Sequence, residues 1–259
     1  RTKTSGGLTI NTSLVTLTGG RILENPTGST ATMTASVSFP FNSSASIENA
    51  GLWEIPNDAD FTDGSGTGTR TITNTGTIRK SGGTATTGIG STTVFNNTAP
   101  GSVEIQSGTL SVSGGTDTGA VTISAGATLQ LTGTTTLNSP ASVTGAGAVL
   151  VTAGTTNLNT GVTFTPTGST TVSGGTLSFN SGVTLTFTQA TTVSGGTLNF
   201  VTGSPVSLSA LTVSGSGTLG GTDEVTVIGA TTCSGGTMTG AARTKTSGGL
   251  TINTSLVTL

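Results

Sequence analysis

Histidine and tyrosine are absent from this chain, cysteine and tryptophan each occur once, and only 7% of its 259 residues are charged. Without histidine there is no Ser-His or Cys-His nucleophile. The lone Cys233 has no partner for a disulfide within the sequence. A formal net charge of −2 leaves no basic footprint for nucleic acid, and no apolar run approaches the ~20 residues of a membrane-spanning helix. From Thr118 to Thr222 there is no Asp, Glu, Lys or Arg, so converging catalytic carboxylates cannot come from that stretch. Asp223 and Glu224 are adjacent and on a strand would point to opposite faces. These absences argue against an enzyme.

What is present is 42 glycines, threonine at about a quarter of all positions, and a mean hydropathy of +0.16. Disordered chains pair low hydrophobicity with high charge; this one has neither. Instead it repeats. Residues 243–259 reproduce residues 1–17 letter for letter, RTKTSGGLTINTSLVTL, at an offset of 242. The chain therefore reads as one tandem repeat, 1–242, and the opening of the next identical one, 243–259. Any export signal is expected outside this sequence.

A finer period of about 20 residues lies inside the long one. TTVSGGTLSF at 170–179 recurs as TTVSGGTLNF at 191–200, and LTVSGSGTLG at 211–220 and TTCSGGTMTG at 231–240 continue the series. Apolar residues alternate with Thr, Ser or Asn between Gly-rich breaks, the pattern of half-buried strands. No stretch shows a helical period. The sequence predicts an all-β fold, a parallel β-solenoid of about 20 residues per rung and roughly 12 rungs per 242-residue period. An antiparallel sandwich or barrel is the alternative, but it would not require the strand motif to recur in phase. Stacked like charges would repel in every rung, which accounts for the neutral surface.

The inward positions are expected to be Val103, Ile105, Leu110, Val112, Val121, Ile123, Leu129, Leu131, Val172, Leu177, Phe179, Val193, Leu198, Phe200, Val213, Leu219, Cys233 and Met238. Cys233 aligns with Val172, Val193 and Val213, so it reads as a buried small apolar residue. Residues 20–100 are less regular and carry most of the charge, while 101–242 are regular rungs; the former read as the same solenoid with longer turns. Within them Asp58, Asp60 and Asp63 are the calcium candidates, although the spacing lacks the closing Glu of an EF-hand loop. Acidic turn residues serve as the simpler explanation, and no cofactor is expected. Parallel rungs about 4.8 Å apart would carry residues 243–259 about 58 Å along the axis from residues 1–17, onto the same sheets.

The phrases TVSGGTLNF, TVSGSGTLGG, TTCSGGTMTG, TIRKSGGT, VEIQSGTLSVSGG and ASVTGAGAVLV resemble the repetitive surface and secreted β-helix proteins of bacteria, the adhesin-like passenger regions of autotransporter and filamentous-haemagglutinin type. The resemblance covers the chain from about residue 65 onward. It implies a right-handed parallel β-helix exported to the cell surface, with no catalytic residues to carry over. The letter-perfect 242-residue recurrence departs from the degenerate repeats usual in such proteins and shifts the expectation toward a uniform fibre. The expected function is a structural extracellular filament whose partner is itself, end to end and through lateral pairing. The second expectation is the stalk of an adhesin whose binding domain lies elsewhere.

Overall fold

A computed structural model describes residues 1–12, 15–36 and 38–253. Among them there are strands and turns and no helix. Every strand pairing is parallel, and the chain winds into a β-solenoid of about 12 turns with about 21 residues per turn. Each turn has three faces. The first face begins at Thr2–Lys3 and continues through Ile22–Asn25, Ser46–Asn49 and Arg70–Asn74. The second begins at Leu8–Ile10 and continues through Thr30–Met33, Leu52–Ile55 and Thr77–Lys80. The third begins at Leu17, bridged to Phe41, and becomes regular from Thr109 onward.

Alternation in the sequence becomes alternation in burial. Of the expected inward residues, all but Met238 are buried, and Met238 is half-buried against the core. Equivalent residues stack on one another: Leu177 under Leu198 under Leu219, and Val172, Val193, Val213 and Cys233 in one column. Phe179 stacks on Phe200 with ring centroids 5.4 Å apart, and Phe164 and Phe187 meet them edge-on or tilted. Each ring buries apolar area and adds the offset or edge contact that aromatic pairs favour.

The recurring Ser-Gly-Gly is the corner between the third and first faces. There the chain turns tightly against the turn beneath: a Cβ on Gly175, whose φ is +66°, would lie 2.4 Å from the Gly154 carbonyl oxygen. A Cβ on Gly196 would lie 2.5 Å from that of Gly175. No side chain fits a corner where backbone rests on backbone, which is why glycine repeats at this place.

Residues 20–100 are rungs of the same solenoid with longer loops. Phe39–Phe41 and Phe61–Asp63 form a small two-stranded third-face sheet, and Phe39, Phe41, Phe61 and Trp53 pack together beneath it. At the end of four consecutive first-face strands, Ile22–Asn25, Ser46–Asn49, Arg70–Asn74 and Thr93–Asn97, stands a buried asparagine. Asn25 donates to Asn49 (2.7 Å), Asn49 to Asn74 (2.7 Å), Asn74 to Asn97 (2.8 Å) and Asn97 to Asp117 (3.1 Å). Amide ladders of this kind satisfy each buried donor with the rung above.

The two copies of the 17-residue segment do not land on the same face. Along the second face the rungs run Leu8, Ala31, Trp53, Ile78, Val103, Val121, Val143, Phe164 and Leu185. They continue through Val206–Leu208 and Val225–Val227 to Thr244–Thr246. Twelve rungs make eleven steps from Leu8 to Thr244 on one face. Yet Thr244 is the copy of Thr2, which opens the first face, and Leu250, the copy of Leu8, pairs with Thr231 on the third. The 242-residue period thus spans eleven turns and one face more. The expectation that 243–259 would continue the sheets of 1–17 is corrected by this: the described part, 243–253, continues the solenoid one face further round. The loops cause the offset, since successive rungs such as Ile78, Val103 and Val121 are unequally spaced in sequence while remaining in register.

Candidate functional site

The charged side chains of residues 54–93 are committed to the fold itself. Lys80 is fully buried, and its ammonium donates to the Asn57 carbonyl (2.9 Å), the Asp58 carboxylate (2.8 Å) and the Gly82 carbonyl (2.9 Å), which uses all three of its protons. The Lys80 bond is the main reason that the Asp58 carboxyl sits below its ordinary range, opposed by burial. Arg70 is also buried; it donates to the carbonyls of Phe41 (2.8 Å), Gly64 (2.8 Å) and Gly66 (3.0 Å) and to the Thr92 hydroxyl (2.7 Å). One guanidinium thereby ties the 64–66 loop to two neighbouring turns.

The three calcium candidates go separate ways. Asp58 holds Lys80, Asp60 accepts from the Gly88 amide (2.6 Å), and Asp63 accepts from Ser91 (3.0 Å), the Thr92 amide (2.7 Å) and Thr93 (3.0 Å). Desolvation is the largest single influence on the Asp63 carboxyl and raises it, but those bonds together outweigh it and leave the carboxyl low. Among the described residues no three His, Cys, Asp or Glu side chains gather as a metal would need. Cys233 is buried with its thiol pushed up by burial, and it forms no disulfide. Asp223 is buried and caps the turn at Thr202 and Gly203, accepting from the Thr202 hydroxyl at 2.8 Å and the Gly203 amide at 3.1 Å. Its neighbour Glu224 points outward.

Glu224 leads to the feature that distinguishes the ends. Arg243 and Lys245 pair with it at 2.8 and 2.6 Å, and they hold its carboxyl below the ordinary range, Lys245 most of all. The identical Arg1 and Lys3 pair in the opposite direction along the axis. Arg1 bridges Glu24 (2.8 Å) and Glu48, and Lys3 reaches Glu24 at 3.6 Å. One segment therefore carries acidic partners for both of its edges.

A second outward ladder lies on the second face, where Arg79 sits between Glu54 (3.5 Å) and Glu104 (2.7 Å). Asp117 closes the asparagine ladder beside a small cavity of about 30 Å³ lined by Leu110, Leu131, Leu137 and Leu158 among others. Such a space holds a water or two at most. Burial pushes the Asp117 carboxyl up to about 7, against the lowering bonds from the Gly119 amide and Asn97. The buried Lys80, Arg70 and asparagine ladder were not among the functional or core residues expected from the sequence. A signal was there: each of the motifs ILEN, SIEN, TITN and VFNN ends in the ladder asparagine. Compared with family models, curated proteins and solved structures, the chain has no match.

Proposed function

We propose that the chain is a structural β-solenoid filament of the cell surface or extracellular space, built from tandem 242-residue repeats and doing no catalysis. The observation that carries this reading is the two-edged segment. Residues 2–10 pair with the rungs on their C-terminal side, and the identical residues 244–252 pair with the rungs on their N-terminal side. The same backbone pleat and the same cations serve both pairings, so continuation by another repeat leaves no unmatched edge. An unpaired strand edge recruits further strands, and solenoids gain stability as rungs accumulate. Most outward side chains are uncharged Thr, Ser and Asn, which suits a stack in which each residue meets its own kind.

The adhesin-stalk reading shares the filament and adds a binding domain outside these residues. Electron microscopy of arrays of one, two and three repeats, with fibre diffraction of aligned material, tests the proposal. Rods whose length grows in proportion to repeat number, with an axial spacing of about 4.8 Å, are expected. Compact particles whose long dimension does not grow with repeat number would overturn it. An antibody against the folded repeat, applied to intact cells, tests the location; staining only after permeabilisation would refute a surface position.

A further inference from the structure

We infer that successive repeats join with a step of one face, so that each repeat is turned by a third of a solenoid turn relative to the one before it. This rests on the filament reading and concerns how its units meet. The open far edge of Thr244–Thr246 and Leu250–Ile252 is the binding surface, and its occupant is the stretch 22–33 of a further copy of the repeat.

The chain itself shows that occupant in place. In the first copy, Thr2 and Lys3 are covered by Leu23 and Glu24, and Leu8 to Ile10 by Ala31 to Met33. Under that cover Ile10 is 4% exposed, whereas its duplicate Ile252, without cover, is 45% exposed. Beside Leu250 the core opens in a hollow of about 280 Å³ lined also by Leu219, Val225, Met238, Thr244 and Thr246. Charge selects the same arrangement. With residues 22–33 of a further copy seated there, Arg243 and Lys245 would lie between their own Glu224 and the incoming Glu24, with Glu48 in register one rung beyond and within reach of Arg243, so the two cations would have carboxylates on both sides. Stacking a copy of residues 1–10 directly on 243–252 would instead set Arg on Arg and Lys on Lys, which like charges in register oppose.

Seating residues 22–33 in this way fixes the step. Residues 22–25 lie on the first face in the described repeat; the pairing with Thr244–Thr246 would put their counterparts on the second, and those of 30–33 on the third. Three repeats would return a segment to its starting face after 34 turns. At about 4.8 Å per turn each repeat would advance about 54 Å, and the full superstructure about 163 Å.

The test is a chain of six tandem repeats carrying Ile228→Cys in each, at a position that is 63% exposed, with Cys233 replaced by alanine and gold attached at the new thiol. Electron tomography of the rods reads both spacing and azimuth. Labels about 54 Å apart along the axis, advancing by one face of the solenoid at each repeat, are expected. Labels about 58 Å apart and all on one face would overturn the step while leaving the filament standing; the absence of rods would instead fail the filament reading. A second six-repeat chain, with E224K in every repeat, checks the seam. Weaker rods that break at intervals of one repeat are expected, and unchanged rods would show that the carboxylates flanking Arg243 and Lys245 contribute nothing to the joint.

Discussion

The fold holds the Asp117 carboxyl against its charge, and replacing it with asparagine isolates the cost. Its carboxyl moves from the ordinary 3.8 to about 7, chiefly by burial. The folded chain therefore keeps a proton between about pH 4 and 7 that the unfolded chain has already released. Stability falls as pH rises through that window, and the loss is complete above the folded value. Moving a carboxyl that far corresponds to about 4 kcal/mol. The D117N variant is neutral at every pH, and its side-chain oxygen can accept from Asn97 and the Gly119 amide as the carboxylate does. Its new amide falls where the ladder asparagines beneath it donate to carbonyls two residues ahead and one rung above. Urea unfolding of both proteins at pH 5 and pH 8 provides the assay. At pH 5 the asparagine variant should already be more stable by about 1–2 kcal/mol, and at pH 8 by up to about 4 kcal/mol. No histidine titrates in that interval to confuse the comparison. A wild-type protein that gains stability relative to D117N between pH 5 and 8 would refute the reasoning.

Replacing Lys80 with alanine strands three acceptors, including the Asp58 carboxylate, so thermal or urea unfolding should show a loss of about 3–5 kcal/mol, and a change under about 1 kcal/mol would show that loop 57–58 does not depend on it. The Thr191 hydroxyl is buried without a partner on a column shared with Thr170, so Thr191→Val should stabilise by about 1–3 kcal/mol, and a destabilised variant would reveal a bond formed there. Cys233 should resist a thiol reagent in the folded rod and react at once in urea. Fast labelling of the native chain would place that column outside the core.

The rungs are legible in the sequence because each inward position is enforced in every turn. A polar residue at Leu198 would face Leu177 and Leu219 together, so alternation cannot drift. The Ser-Gly-Gly corner is legible for the same reason. Lys80 and Arg70 are not, because a cation can be buried only where carbonyls converge, and those come from loops 57–58, 64–66 and 82 whose paths no local pattern specifies. The asparagine ladder is hard to see because its members are separated by unequal intervals. The acidic trio is deceptive in a modest way: Asp58, Asp60 and Asp63 are close in sequence, yet each is taken by a different set of partners. The one-face offset is hidden too, since an average of about 20 residues per rung cannot resolve a third of a turn accumulated over the whole period.

The three sides of this rod differ: one carries the Glu54–Arg79–Glu104 stripe, another the small Phe39–Phe41 sheet. Any unevenness in rung height between sides would make a rod that repeated them in line arch consistently toward its shorter side, like a strip of two bonded metals. Were successive repeats to join with the inferred third of a turn, the short side would face each direction in succession. Curvature would then average to a shallow coil, and bending stiffness would become equal in all directions over three repeats. In the proposed fibre, straightness would thus follow from asymmetry at the scale of the repeat.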